Sequence, residues 1–420
     1  MKIKKSSLWF YSILCCLLIY SSLENLVQAF PQFGLVKRPL LIFGIILLAL
    51  KTRVLMSYIR RKEYIGVFFL IFIFSISIIL SATNNAHRYN DYSPFYATIN
   101  LILFIISTYF LMIYAAENNK AHDMMDFIFH YFFLLVIIVD LLIILNIKLE
   151  SNNAFYLIGT KFSVVYLHLY CLTYFLARKK NTIKYIKDKK VLILFLLFLM
   201  SLVAVKVDCN TGIIGCILLI GLIFLFNRFK KYFYRYVTCG SVFLIILLGV
   251  TLLSFNFEQI VQYAPIKSFI ENVLHRQTTL TGRTDIYKNF ILKMTGNWQY
   301  GFGYGAAYKT SMLLFKYADT QNALLEWILQ LGIYAVTVLV SLYVTIFSGI
   351  KKMDNNAQII PLVAIIYVLV FLGSVEITMD MNFIFCIFLL YAYIHNKDVT
   401  FEMDKLQKDM NTRRIKYDKR

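Results

Sequence analysis

The chain has 420 residues, of which 60% are hydrophobic and 17% aromatic, and its mean hydropathy is +0.67. Soluble domains are usually about half apolar, so this composition excludes an ordinary soluble protein and predicts an integral membrane protein. The net charge of +20 is typical of basic cytoplasmic loops, and we expect no nucleic-acid partner. The seven cysteines lie in or beside apolar runs without metal-ligand spacing, so we predict no metal site.

Twelve apolar runs have roughly the length, about 20 residues, that a helix needs to cross a bilayer. They predict an all-α integral membrane protein with about twelve transmembrane helices. The first run follows MKIKK without a small-residue cleavage site, which favours a retained helix over a signal peptide. The runs fall near 7–27, 39–56, 64–83, 94–115, 127–147, 162–177, 191–207, 211–227, 237–256, 322–348, 358–375 and 379–395.

The distribution of Lys and Arg residues predicts the orientation of these helices. Most of the 43 lie in segments that share one side of the membrane with the N-terminus, so we expect both termini of a multi-pass cytoplasmic-membrane protein to be cytoplasmic. Residues 1–256 then hold helices one to nine, and 257–321 form one large extracytoplasmic loop. Residues 322–395 hold helices ten to twelve, and 396–420 form a charged cytoplasmic tail.

The large loop is about 65 residues long and contains the amphipathic stretches IKSFIENVLHRQ and RTDIYKNFILKM, which predict short helices at the outer leaflet. Its stretch TGNWQYGFGYGAAY carries Gly301, Gly303 and Gly305. A dinucleotide site is disfavoured, because the strand before the glycines and the helix start after them are missing. Two alternatives remain. The stretch is a flexible turn, or its bare backbone packs closely against a lipid-linked substrate or a neighbouring helix.

Three motifs follow one another here: GRTDIYKNF, NWQYGFGYG and DTQNALLEWILQLGIYA. They resemble the signature of the Wzy polysaccharide polymerase and O-antigen ligase superfamily, in which Gly-Arg-x-x-x-Tyr/Trp precedes a Gly-x-Gly turn and a His-Asn-x-x-Leu element. YLIGTKFSVVYLH (156–168) resembles the Gly-Asn-Lys-Phe element of capsular polymerases. KVDCNTGIIG (206–215) lies where the family often has Ser-Arg-Thr-Gly/Ala. The plan of twelve helices with a large loop before the tenth is also similar.

The chain departs from the family pattern at several positions. Gln321 stands at the family's histidine, and glutamine cannot act as a base. Gln330 stands at the family's late glutamate, while Glu326 lies four residues earlier on the same helix face. Asn210 occupies the place of the family's usual arginine, with Lys206 nearby. These departures fall mainly on the residues that would supply a base.

The resemblance implies a reaction between two undecaprenyl-diphosphate-linked oligosaccharides at the outer face of the cytoplasmic membrane. A hydroxyl of one repeat unit would attack the first sugar of the growing chain, and the lipid diphosphate would leave. This describes a metal-independent glycosyltransferase without a cofactor, provided that cations stabilise the departing diphosphate. A chain-length regulator and a flippase are implied as further partners.

Arg283 is the predicted cation, because an arginine fork binds phosphate oxygens in pairs; the alternative is an ordinary interfacial arginine. Asp319 is the predicted base and Glu326 its rival, although Asp319 also suits a helix cap. Lys161 and Lys206, which are in the set that follows, could also be ordinary helix-end lysines whose charged groups reach toward the membrane surface. The further predicted substrate-binding residues are Arg88, Lys161, Lys206, Arg276, Gln321, Asn322 and Glu376.

Other functions stay open at this point. An O-antigen ligase-type enzyme would transfer the glycan to a different acceptor. A flippase for lipid-linked oligosaccharides would also have about twelve helices, but such transporters usually show internal repeats and interrupted helices, and the two halves of this chain show no similarity. A non-catalytic scaffold of a polysaccharide assembly complex is the third alternative.

Overall fold

The computed structural model describes residues 5–23, 34–89, 93–145, 156–178, 190–268, 271–272, 283–350 and 358–396. Apart from one isolated bridge between Tyr156 and Gly159, the regular structure in these ranges is helical. The helices are α1 (Lys5–Ser22), α2 (Gly34–Ala49), α3 (Thr52–Ile59), α4 (Lys62–Asn84), α5 (Pro94–Glu117), α6 (Ala121–Ile144), α7 (Lys161–Ala177), α8 (Lys190–Lys206), α9 (Asn210–Arg228), α10 (Lys230–Val237), α11 (Gly240–Phe255), α12 (Phe257–Gln262), α13 (Ala264–Ser268), α14 (Arg283–Lys293), α15 (Ala307–Phe315), α16 (Ala323–Gly349), α17 (Ile359–Leu372) and α18 (Met381–Ile394).

Each of the twelve predicted apolar runs contains a helix. By length and composition, α4, α5, α6, α9 and α16 are able to cross a membrane, and the number rises to seven if two bent helix pairs count as one span each. The helices α1, α7, α8, α17 and α18 are apolar but shorter. The predicted class, a helical membrane protein, is confirmed, whereas the number of twelve crossings stays a prediction.

The chain bends sharply at two places, one inside the predicted run 39–56 and one just before most of the predicted run 237–256. The run at 39–56 is divided between α2 and α3, whose axes differ by 77°. The axes of α10 and α11 also differ by 77°. Basic residues explain the first bend. α3 buries Leu55 and Ile59 on one side, while Lys51 and Arg53 would be costly inside a bilayer. The chain therefore turns where its sequence changes from apolar to basic.

The last two helices form the centre of the bundle. Every residue of α17 from Ile359 to Val370 is buried, and so is almost all of α18, as expected for helices that are apolar on every side. α17 packs against α7, α9 and α11, and α18 packs against α5 and α16. The loop that joins them, residues 373–380, therefore emerges at the middle of one end of the bundle.

α16 is interrupted at Gly332, which has φ +77° and ψ 170°. The glycine-rich segment 297–305 forms hydrogen bonds with the backbone groups around the break. Phe302 N–H donates to the Leu329 carbonyl and Gly303 N–H to the Gln330 carbonyl, both at 2.8 Å. In return, Ile333 N–H donates to the Trp298 carbonyl at 2.8 Å. Close packing against a neighbouring helix is thus the role that the structure gives to these glycines.

The same segment is held from its other side by the end of α4. The Ser81 hydroxyl donates to the Tyr300 carbonyl, and Asn85 Nδ2 donates to the Gly301 carbonyl at 3.2 Å. The fit leaves no room for a side chain, since a Cβ on Gly301 would lie 2.5 Å from the Gly332 nitrogen. The segment is therefore fixed between two helices.

We predict that Gly332→Ala destabilises the protein. Its Cβ would lie 2.3 Å from the Gln299 carbonyl oxygen, and its backbone conformation is almost restricted to glycine, a strain of about 1–3 kcal/mol. Unfolding by SDS in mixed micelles, followed by circular dichroism, measures the loss. Gly249→Ala in α11 is the matched control, because nothing lies within 4 Å of its Cβ position. Equal stability of the two variants would contradict the proposed fit.

Candidate functional site

An ion pair joins the start of α14 to the loop between α17 and α18. Arg283 Nη2 lies 2.8 Å from Glu376 Oε1, and the two side chains are only 19% and 7% exposed. Arg283 Nε is also buried, and no described residue accepts a hydrogen bond from it. The guanidinium is therefore held in place by one carboxylate, and its Nε donates to no described residue.

Tyr287, one turn after Arg283 on α14, ties this helix to two loops. Its hydroxyl lies within hydrogen-bond distance of the Gln321 carbonyl, at 2.8 Å, and of the Ser374 carbonyl, at 3.2 Å. The Ser374 carbonyl also accepts from the Ser254 hydroxyl at the end of α11. These bonds hold the start of α14, the entry to α16 and the central loop together.

Asp319 lies beside this pair at the entry to α16. Its Oδ1 accepts the N–H of Gln321 at 2.8 Å, and Gln321 has a φ of +55°. Burial raises the pKa of Asp319, while this hydrogen bond and the charge of Arg283 lower it. Asp319 also interacts electrostatically with Glu376. The structure thus brings the predicted cation, the predicted base and Glu376 into one cluster.

Asn322 is fully buried and caps α16. Its Oδ1 accepts the N–H groups of Leu324 and Leu325 at 3.1 and 3.0 Å, and its Nδ2 donates to the Ser254 hydroxyl at 2.9 Å. These contacts give Asn322 a structural role. Its predicted contact with a sugar stays a prediction.

Glu326 is bonded to the loop that precedes its helix. Its Oε2 accepts from the backbone N–H and the hydroxyl of Thr320, at 3.0 and 2.8 Å. Gln330 Nε2 approaches its Oε1 at 3.4 Å, and Gln330 Oε1 accepts the N–H of Gly305 at 2.8 Å. Glu326 and Gln330 therefore share one helix face, as their spacing predicts, and connect the entry of α16 to the glycine-rich segment.

The predicted lysines lie at helix ends around the cluster. Lys161 Nζ donates to the Asp208 carbonyl at 2.9 Å and lies 3.7 Å from the Asp208 carboxylate. Lys161 is also near enough to Glu376 to affect its titration. Lys206 is exposed and donates to the Ile144 carbonyl at 3.3 Å. Of the two, Lys161 is the one whose charge acts on Glu376.

Arg88 contacts the glycine-rich segment and not the cluster. Arg88 donates to Asn297 Oδ1 at 2.7 Å, and its guanidinium lies 4.6 Å from the centre of the Phe302 ring. It therefore supports the glycine-rich segment. Arg276 lies outside the described residues.

The charge state of Glu376 controls how much positive charge the cluster presents. Burial raises the pKa of Glu376 to about 8, although Arg283 and Lys161 lower it and Asp319 raises it. Below this pH, a protonated Glu376 no longer compensates the charge of Arg283. The cluster then suits an anion with several oxygen atoms, which arginine binds through more than one N–H group.

Sequence reasoning missed several residues that build this site. Ser254 and Ser374 gave no signal, because isolated serines at helix ends are common. Tyr287 lies in the GRTDIYKNF motif, but nothing in the sequence separates it from an ordinary aromatic residue at the membrane surface. Tyr166 interacts electrostatically with Glu376, Asp380 and Arg283; it was quoted only as part of a motif, and its position beside the cluster depends on contacts distant in sequence.

Within the described residues, no group of three or more His, Cys, Asp or Glu side chains is arranged to hold a metal ion. No family profile, no curated protein and no solved structure matches the chain. The chemistry of the cluster therefore has to be inferred from its own geometry and from the motifs in the sequence.

We predict that diphosphate binding weakens as the pH rises through 8. Deprotonated Glu376 occupies Arg283 and repels an anion, so the dissociation constant of farnesyl diphosphate should increase about tenfold between pH 7 and pH 9. Titration calorimetry of the detergent-solubilised protein measures it. Glu376→Gln keeps the shape of the side chain and removes its titration, so its pH dependence should be nearly flat. The same slope in both proteins would refute the role of Glu376.

Proposed function

We propose that the protein is a polysaccharide polymerase that joins undecaprenyl-diphosphate-linked oligosaccharide repeat units at the outer face of the cytoplasmic membrane. The observation that carries the proposal is the buried Arg283, which is fixed by Glu376 and keeps an unbonded Nε. A guanidinium in this state is suited to a leaving diphosphate, where negative charge develops during the reaction. The GRTDIYKNF motif that contains it supports the same function.

The reaction assigns a separate task to each residue of the cluster. The acceptor hydroxyl oxygen forms a bond to the anomeric carbon of the growing chain, and its proton passes to the Asp319 carboxylate. The bond between that carbon and the diphosphate breaks, and its electron pair leaves with the diphosphate, which Arg283 stabilises. Lys161 adds positive charge nearby, and Glu376 orients Arg283. Neither a metal ion nor a cofactor takes part in this scheme.

One observation favours a flippase as a second candidate. The interruption of α16 at Gly332 resembles the discontinuous helices that bind substrates in transporters. In those proteins the freed backbone groups line a cavity, whereas here segment 297–305 bonds to them. We therefore prefer the enzyme. A ligase-type transfer to a different acceptor would use the same cluster, and a chain-length regulator and a flippase would be partners of either enzyme.

We predict that Arg283→Ala abolishes long glycans in cells. Loss of a donor that stabilises transition-state charge typically slows catalysis about 100- to 1000-fold, so single lipid-linked repeat units should accumulate outside the membrane. Arg283→Lys should restore part of the activity, because it keeps the charge but not the fork. Electrophoresis of the extracted glycans measures chain length. Lys293→Ala, an exposed residue of the same helix, is the matched control.

The side on which repeat units accumulate separates the candidate functions. Accumulation at the inner face would identify a flippase, and unchanged glycans would identify a scaffold. Either result would refute the polymerase.

We predict that Asp319→Asn abolishes turnover while the fold is retained. The asparagine oxygen can still accept the Gln321 N–H, but it cannot take a proton, and loss of a general base costs about 100-fold or more. Glu326→Gln is the comparison, because its amide oxygen can still accept from Thr320. Rates of glycan extension in membrane vesicles measure both. A larger loss in Glu326→Gln would identify Glu326 as the base.

A further inference from the structure

Two consecutive basic residues near the start of α2 lie on tyrosine rings. The Lys37 ammonium is 4.2 Å from the centre of the Tyr20 ring, and the Arg38 guanidinium is 4.3 Å from the centre of the Tyr96 ring. Arg38 also interacts electrostatically with Lys37 and Tyr20. Tyr20 belongs to α1 and Tyr96 to α5, so three helices contribute to this group of four residues, which we call the Arg38 cluster.

Arg38 has hydrogen-bond donors to offer. Its side chain is exposed, and no described residue accepts a hydrogen bond from it. A tyrosine ring attracts one face of a guanidinium and leaves the N–H groups, which lie in the guanidinium plane, directed outward. These N–H groups form a fixed fork that suits the oxygen atoms of a phosphate. Tyr96 therefore orients Arg38 without using its donors.

An apolar stripe leads away from Arg38 along α2. Ile42 and Ile46 follow it at intervals of four residues, and both are 55% exposed. Residues at this spacing share one helix face. α2 packs against α5, where Phe95 is also exposed. The surface thus has a cationic end and an apolar length, which matches a lipid with an anionic head group and a hydrocarbon chain.

The Arg38 cluster lies at the same end of the bundle as Asp319. α5 begins at Pro94, two residues before Tyr96, and a Cβ on Gly303 would lie 2.7 Å from the Cβ of Pro94. Gly303 belongs to segment 297–305, which is hydrogen-bonded to α16, the helix that Asp319 precedes. A lipid whose head group lies at the Arg38 cluster therefore presents it at the end of the bundle that holds the predicted base.

We propose that the Arg38 cluster binds the diphosphate of the acceptor, the second lipid-linked oligosaccharide of the reaction, with its prenyl chain along Ile42 and Ile46. This inference rests on the proposed function, in which the diphosphate that leaves occupies Arg283. The acceptor keeps its own diphosphate, and two anionic head groups repel each other at one cation, so the acceptor needs a separate one. Arg38 and Lys37 bind and position the acceptor, and no bond forms or breaks at them.

The test counts the binding sites for farnesyl diphosphate by titration calorimetry on the full-length protein in detergent. The wild-type protein should bind two equivalents. Arg38→Ala should weaken one site about tenfold, because it removes charged hydrogen-bond donors, and should retain the site whose affinity falls as the pH rises through 8. Arg283→Ala should retain the other site, whose affinity is nearly independent of pH. Arg53→Ala, at an exposed arginine beyond the opposite end of α2, is the matched control and should bind two equivalents.

Three results would overturn the acceptor site. They are a single farnesyl diphosphate site in the wild-type protein, two sites that Arg38→Ala leaves unchanged, and displacement of the probe from the Arg38 cluster by an equal amount of phosphatidylglycerol. The last result would identify an ordinary phospholipid site. None of the three would affect the polymerase proposal, which depends on the glycans made by Arg283→Ala cells.

Discussion

Inside a bilayer, a backbone N–H or carbonyl group without a partner costs several kcal/mol, because no water is present to bond to it. The interruption of α16 at Gly332 frees backbone groups from their hydrogen bonds within the helix. Segment 297–305 supplies the missing hydrogen-bond partners. The exchange of hydrogen bonds between these two pieces of chain is the constraint on which the site depends. It fixes the segment after α14 against the helix whose entry carries Asp319 and Asn322.

The cluster around Arg283 is built outward from that contact. Gln330, at the break, bonds to Gly305 on one side and approaches Glu326 on the other, and Glu326 in turn bonds to Thr320. The entry of α16 is therefore rigid, and Tyr287 attaches α14 to it. Reactive side chains are positioned most accurately when the residues that contact them are themselves fixed by hydrogen bonds and packing. The central loop at Ser374 and Glu376 completes the arrangement because α17 and α18 occupy the middle of the bundle.

Apolar run length, which is a local property, was enough to predict all twelve helical runs and the helical membrane class. The Arg283–Glu376 pair joins residues 93 positions apart, and only motif resemblance suggested that both matter. The break at Gly332 was not predicted, because one glycine in an apolar run usually continues the helix and the partner that fills the gap is remote in sequence. Lys51 and Arg53 could have revealed the bend after α2, since charge there opposes a straight span.

The two central helices, α17 and α18, have 14 residues each. An α-helix rises 1.5 Å per residue, so each is about 21 Å long, less than the roughly 30 Å of a bilayer's hydrocarbon core. Helices of this length that cross a bilayer thin it locally or leave their ends recessed below its surface. The loop bearing Glu376 would then lie in a depression at head-group depth. In the proposed polymerase, a prenyl-anchored donor would then enter sideways from the leaflet, without being lifted toward water.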